Sequence, residues 1–305
     1  MKGIIPPVVT LLDGNGKIDV AKNKEMLDKI IAAGVHGLVL LGSSGEFPHF
    51  TMEEKKNYLT DIVPYLKGKL PVLVGTGGTV LDETIELTLF IEELGADGAL
   101  VVNPYYWSMS DEQIYAYYAE ISKAVSIDIY LYNIPQFTGQ EIPINVIQKL
   151  ALDFSNIRGI KETVGSISRI RNVINQLQSV REDFLVFSAF DEHLLDAQIL
   201  GAAGSINGTS VFLPELSVSL YEAIQYNDFD RVKKLHTEIC NKMELYSWHP
   251  SFYISMKEAV YARWFPQESV NLRTPFIHNE QNIRKLAEEM VRESLCSGGF
   301  YEKHN

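Results

Sequence analysis

A chain of 305 residues, 46% hydrophobic and 22% charged, is long enough to bury a large core and has the balance of an ordinary globular protein. Its 27 basic and 39 acidic side chains leave a net charge of −12, which argues against nucleic acid or an anionic membrane as partner. A small anionic substrate stays open, because a pocket can be locally positive on an acidic protein. The two cysteines, Cys240 and Cys296, form no CxxC pair and fit reduced thiols in the cytoplasm rather than a disulfide framework. The first apolar run is short, holds Pro6 and Pro7, and lacks a small-residue cleavage site, so no signal peptide is expected. No stretch approaches the roughly 18 apolar residues that a membrane span requires.

Eight short, β-rich apolar runs follow one another along the chain. They are Gly3–Thr10, Gly37–Leu41, Val72–Thr76, Ala99–Asn103, Ile129–Asn133, Ile157–Lys161, Phe184–Ser188 and Gly204–Asn207. Each is nearly continuous in hydrophobicity, as strands buried on both faces are. Between them lie amphipathic segments: Val20–Ala33, a helix starting near Thr51, Asp82–Leu94 closed by Gly95, Asp111–Val125 and Ser166–Val180. Alternation of strand and helix eight times over predicts an α/β fold, a (β/α)8 TIM barrel. A doubly wound open sheet normally needs fewer strands. Its GxGxxG signature is absent after the first strand, Gly75-Thr76-Gly77-Gly78 has the wrong spacing, and no GxxxxGK[ST] occurs. After about residue 210 the strand signal stops. Pro214–Gln225, Asp228–Tyr246, Phe252–Trp264 and Asn279–Leu295 read as extra C-terminal helices, and Ser297–Asn305 as a frayed tail. The expected organisation is one structural unit. Its barrel core spans 1–210 with the last helix continuing to about 226, and a helical appendix spans 227–305.

Chemistry in such a barrel sits at the C-terminal ends of the strands. Lys161 ends a run, Ile157–Ile160, that is otherwise a buried strand apart from Arg158. It has two readings. Aimed into the barrel mouth, the amine is favoured in its neutral form and can attack a ketone to form an imine. Alternatively it pairs with a carboxylate such as Glu162. Tyr132 ends the neighbouring strand and is either a proton shuttle beside Lys161 or a tyrosine with an apolar body and a wet tip. The loop Gly42-Ser43-Ser44-Gly45 offers hydroxyls and free N–H groups that can hold a carboxylate, or is an ordinary turn. The seven histidines show no HxH or HExxH spacing, so no metal is expected, and no GxSxG marks a nucleophilic serine.

In order and at strand ends stand Gly42-Ser43-Ser44-Gly45-Glu46, Asn103-Pro104-Tyr105-Tyr106-Trp107, Tyr132-Asn133-Ile134-Pro135 and Gly159-Ile160-Lys161-Glu162-Thr163. On these motifs the sequence resembles, over nearly its whole length, the pyruvate-dependent Schiff-base aldolases. That family contains dihydrodipicolinate synthase and N-acetylneuraminate lyase. The resemblance implies that Lys161 is the Schiff-base lysine and Tyr132 the proton-shuttling tyrosine. It implies that Ser43 belongs to a proton relay and that Ser44 binds the pyruvate carboxylate. Tyr106 matches a relay tyrosine often supplied across a subunit interface. Ile206 matches a residue whose backbone contacts the pyruvate moiety. The substrate implied is a small keto acid, the cofactor none, and the assembly a homotetramer built as a dimer of dimers.

One departure bears on the substrate. Dihydrodipicolinate synthases usually read YNxPxRTG, with an arginine that grips the carboxylate of aspartate semialdehyde. Here Phe137 holds that position, and an apolar ring cannot replace a bidentate carboxylate clamp. Gly3–Val8, Leu41–Phe47, Gly75–Thr79, Asn103–Trp107 and Tyr132–Gln140 are instead similar to the 2-keto-3-deoxy-sugar-acid aldolases. The expected reaction is cleavage of a 2-keto-3-deoxy-aldonate, of the gluconate or pentonate type, into pyruvate and a short hydroxyaldehyde. Dihydrodipicolinate synthase or N-acetylneuraminate lyase activity is the alternative within the family. A non-catalytic barrel that binds a keto acid is the alternative outside it.

Overall fold

The structure, a computed structural model, describes residues 1–277 and 282–296. Its strands are β1 (Gly3–Ile4), β2 (Leu38–Leu40), β3 (Val72–Gly75), β4 (Gly98–Val102), β5 (Ile129–Asn133), β6 (Ile157–Glu162), β7 (Leu185–Ser188) and β8 (Gly204–Ser205). All pair in parallel, in the order β1-β8-β7-β6-β5-β4-β3-β2. The two ends of that order meet through a parallel bridge between Pro7 and Val39, with Val8 N–H donating to Val39 O at 3.0 Å. The expected (β/α)8 barrel is therefore present. The first strand is shorter than predicted because Pro6 and Pro7 have no N–H to give to a ladder. The chain nevertheless stays beside β2 as far as the bridge.

The helices are α1 (Val20–Ala32), α2 (Met52–Leu66), α3 (Leu81–Leu94), α4 (Asp111–Ala124), α5 (Pro135–Thr138) and α6 (Ile144–Asp153), followed by α7 (Ile167–Gln178), α8 (Leu194–Ile199), α9 (Pro214–Gln225), α10 (Phe229–Cys240), α11 (Phe252–Trp264) and α12 (Ile283–Cys296). Local chemistry sets several of their starts. Thr51 and Glu54 form a reciprocal capping box on α2, and Ser110 and Gln113 do the same on α4. Gly95 ends α3 in the left-handed region. One predicted helix divides: Asp228–Tyr246 becomes α10 and a separate 3-10 turn at Met243–Ser247. The break brings the Tyr246 hydroxyl within 2.7 Å of Asp191 at the barrel mouth, a contact between segments distant in sequence. The predicted Asn279–Leu295 helix is seen from Ile283, and the tail Ser297–Asn305 lies outside the described residues. No helix among the described residues is long and apolar enough to cross a membrane.

Burial divides into two layers. Ile4, Leu38, Leu40, Val74 and Leu131 face the helices. Ile5, Val39, Leu73, Leu100, Tyr130, Tyr132, Phe187 and Ile206 fill the barrel interior. This is the period-two alternation of a strand, with apolar residues on both faces.

Glycine in the Gly75-Thr76-Gly77-Gly78 run serves packing between strands. A Cβ on Gly75 would stand 2.1 Å from Leu41 O. Leu41 itself is left-handed, with φ 51°, and leads directly into Gly42-Ser43-Ser44. Gly75→Ala therefore has to displace the backbone that presents this loop. The expected cost is about 3 kcal/mol of stability in urea unfolding, within the range for over-packed cores. Gly14→Ala, where a Cβ meets nothing within 4 Å, should stay within about 0.5 kcal/mol of the parent.

Candidate active site

The parity of β6 decides what Lys161 faces. Lys161 is level with Tyr132 on β5 and Phe187 on β7, both interior residues. It points into the barrel and is 5% exposed. Glu162, the next residue, points outward. Its carboxylate accepts from Asn133 Nδ2 at 2.6 Å and pairs with Arg169 on α7 at 3.3 Å. Burial pushes the Glu162 carboxyl above the usual range, and Arg169 and Asn133 counter that push. The salt-bridge reading of Lys161 thus fails on geometry, because the adjacent acid lies on the opposite face of the sheet.

Three lysines are buried among the described residues: Lys161, Lys242 and Lys257. Lys242 pairs with Glu238 and Lys257 with Glu46. Lys161 instead donates to the Tyr132 hydroxyl at 3.4 Å and sits 4.4 Å from the centre of that ring. Among the described residues no carboxylate comes within ion-pair reach of it.

The Tyr132 hydroxyl also shares a hydrogen bond with Ser43 Oγ at 3.2 Å, giving a continuous line from Lys161 through Tyr132 to Ser43. Ser43, Ser44, Thr163 and Ile206 line the same cavity, whose volume is about 390 Å³. The amide of Ile206 donates to Ser188 O at 2.8 Å, so contact with a ligand falls to its carbonyl or side chain. Tyr106 is placed elsewhere. It is 87% exposed on the loop after β4, has φ 85° and packs edge-on to Trp107. Within one chain it does not line the cavity.

Several cavity residues escaped the sequence reading. Asp191 and Glu192 follow β7 and line the wall, a position that the strand-end rule reaches if the seventh strand is read into its loop. Asp191 is fully engaged: it accepts from Asn207 Nδ2 at 2.6 Å, Thr209 N–H at 2.9 Å and Tyr246 Oη at 2.7 Å. Burial and the facing Asp191 carboxylate push the Tyr246 phenol well above its ordinary range. Met243, Tyr246, Phe252 and Met256 reach the cavity from the C-terminal segments, which no spacing rule foretells. Phe137, half exposed at 50%, stacks on Phe252 with 6.0 Å between ring centres. Lys161 is the sole cation among the described cavity residues.

The outward pair generates a prediction of its own. Arg169→Met leaves Glu162 buried and unpaired, which should cost about 3–5 kcal/mol at neutral pH. A carboxyl whose folded-state pKa is raised loses stability as pH rises, because the folded state then has to hold the anion. The deficit of Arg169→Met should therefore shrink as pH falls through the carboxylate range, read by urea unfolding at several pH values. A deficit independent of pH would remove Glu162 as its cause.

Comparison with known proteins places this geometry. The sequence profile described as the dihydrodipicolinate synthetase family matches residues 1–294. The chain is 36% identical over 258 residues, 85% of each chain, to an Escherichia coli K12 protein named "Putative 2-dehydro-3-deoxy-D-gluconate aldolase YagE". It is 34% identical, over 88% of this chain and 89% of the other, to "Probable 2-dehydro-3-deoxy-D-pentonate aldolase YjhH" from the same strain. The crystal structure of YagE in complex with pyruvate superposes with a TM-score of 0.91 at 32% identity, covering 96% of this chain and 98% of that one. The chain belongs to the dihydrodipicolinate synthetase family and is a pyruvate-dependent lyase.

Proposed function

We propose that the protein cleaves a 2-keto-3-deoxy-aldonate to pyruvate and a short hydroxyaldehyde through an imine on Lys161. The observation that carries this reading is the buried amine of Lys161, 3.4 Å from a phenol and without a carboxylate partner among the described residues. The substrate carboxylate docks on the Ser43–Ser44 loop. The neutral Lys161 Nζ attacks the C2 ketone, and Tyr132 delivers the proton with which the carbinolamine hydroxyl leaves as water. The C4 hydroxyl proton then passes to Tyr132 and on through Ser43. The electrons of the C3–C4 bond move into the C=N group, giving the aldehyde and an enamine. Protonation at C3 and attack of water on the imine release pyruvate and restore Lys161. No cofactor is required, because the iminium is the electron sink.

The choice of substrate rests on the wall of the cavity. A second carboxylate, as in aspartate semialdehyde, would meet Glu192 and the ring of Phe137 and, among the described residues, no cation other than Lys161. The hydroxyls of a sugar-acid tail can instead hydrogen-bond to Glu192 and Gln136. A cavity of about 390 Å³ lies within the usual range of small-molecule sites. The names of the two Escherichia coli relatives point to the same substrate class. In this reading the exposed Tyr106 of a second copy completes the proton line beyond Ser43, in a homotetramer. The free thiols of Cys240 and Cys296 suit a cytoplasmic setting.

A substrate panel with pyruvate release as readout tests the proposal. Turnover of 2-keto-3-deoxygluconate or its pentonate analogue should exceed that of N-acetylneuraminate. The same two substrates should also be processed faster than aspartate semialdehyde is condensed with pyruvate, and the reverse order would overturn the substrate choice. Tyr132→Phe should still form adduct slowly but lose turnover by about 10²-fold or more, the usual cost of a missing acid/base group. Near-normal turnover would take Tyr132 out of the mechanism.

A further inference from the structure

The loop Gly42-Ser43-Ser44-Gly45-Glu46 is bracketed by strain. Leu41 precedes it and Glu46 ends it, and both are non-glycine residues with left-handed backbones, at φ 51° and φ 59°. Such conformations cost of order 1–3 kcal/mol each and persist only where the surroundings over-determine them. Phe47 N–H donates to Gly42 O at 3.4 Å, His49 N–H donates to Glu46 O at 2.9 Å, and Ser43 Oγ shares its bond with the Tyr132 hydroxyl. Gly45 O accepts from Thr10 Oγ1 at 2.8 Å, and Glu46 N–H donates to Ser43 O at 3.2 Å.

The Glu46 side chain adds a hold from behind the loop. It is 1% exposed and makes an ion pair with Lys257 Nζ, also 1% exposed. His49 Nδ1 lies 3.5 Å from its second oxygen, and burial together with the Glu46 carboxylate pushes the Tyr253 phenol above its ordinary range. Desolvation lowers the pKa of Lys257, and the Glu46 carboxylate opposes this. Lys257 and Tyr253 both lie on α11, the helix that also sends Phe252 and Met256 into the cavity wall. One helix of the C-terminal part thus touches the cavity directly and grips the loop from behind.

A buried ion pair is a weak device for stability, since apolar groups of the same shape often do as well. What it adds is a buried contact between α11 and the end of the loop. We propose that Lys257 is a positioning residue. Through Glu46 it sets the conformation of the Ser43–Ser44 loop and so the affinity of the site for the keto-acid carboxylate. This rests on the reading in which that loop receives the carboxylate.

The test measures the pyruvate concentration that half-saturates borohydride-trapped adduct, together with thermal unfolding, in the full chain and two variants. Lys257→Met should raise the half-saturating concentration at least tenfold and lower stability, because Glu46 is left buried and unpaired. The double variant Glu46→Gln with Lys257→Met carries no unpaired charge. It should recover most of the stability while its half-saturating concentration stays at least tenfold raised. If pyruvate saturation in the double variant returns to the parent value along with stability, Lys257 is structural only and the inference falls. Absence of any adduct in the parent protein would instead sink the underlying Schiff-base reading.

Discussion

The site depends on one constraint: an amine is buried inside the barrel with no acid among the described residues to pair it. The alternation of β6 imposes this. Lys161 and Glu162 are adjacent in sequence, and a strand sends adjacent side chains to opposite faces. Lys161 enters the barrel between Tyr132 and Phe187, while Glu162 goes to Arg169 and Asn133 among the helices. A slip of one residue in register would exchange the two, placing a carboxylate in the barrel and an ammonium against the helices. The outward ion pair and the inward amine are thus two consequences of one register.

Around that amine the cavity lining is mixed in chemistry. The lining offers the hydroxyls of Tyr132, Ser43 and Thr163, the carboxylates of Asp191 and Glu192, and the stacked rings of Phe137 and Phe252. Asp191 spends its oxygens on Asn207, Thr209 and Tyr246, and so ties the C-terminal part to the ends of β7 and β8. Glu46 and Lys257 make a second tie to the loop after β2. The C-terminal helices are therefore walls and clamps of the site as much as they are covering for the barrel.

Much of this was legible in the sequence, for a physical reason. Strands buried on both faces leave continuous apolar runs, and their ends mark where a barrel does chemistry; that put Lys161, Tyr132, Ser43 and Ser44 at strand ends, and the family resemblance implied their roles. The side on which Lys161 emerges follows from period two, but the partner of Glu162 does not, because Arg169 lies on the next helix. The contributions of Tyr246, Phe252 and Met256 depend on segments that return to the barrel mouth from far along the chain. The split of Asp228–Tyr246 into a helix and a turn has the same origin, a tertiary contact at Asp191. Tyr106 matched a motif, yet it stands 87% exposed, and its proposed place in the proton line requires a second copy of the chain.

The central claim is that Lys161, and no other lysine, reacts covalently with a keto acid. Incubation with pyruvate and borohydride, followed by digestion and mass spectrometry, tests it most directly. The account predicts a reduced pyruvate adduct confined to the peptide that contains Lys161 and lost in Lys161→Ala. An unmodified Lys161 peptide, or an adduct on Lys242 or Lys257 instead, would contradict it.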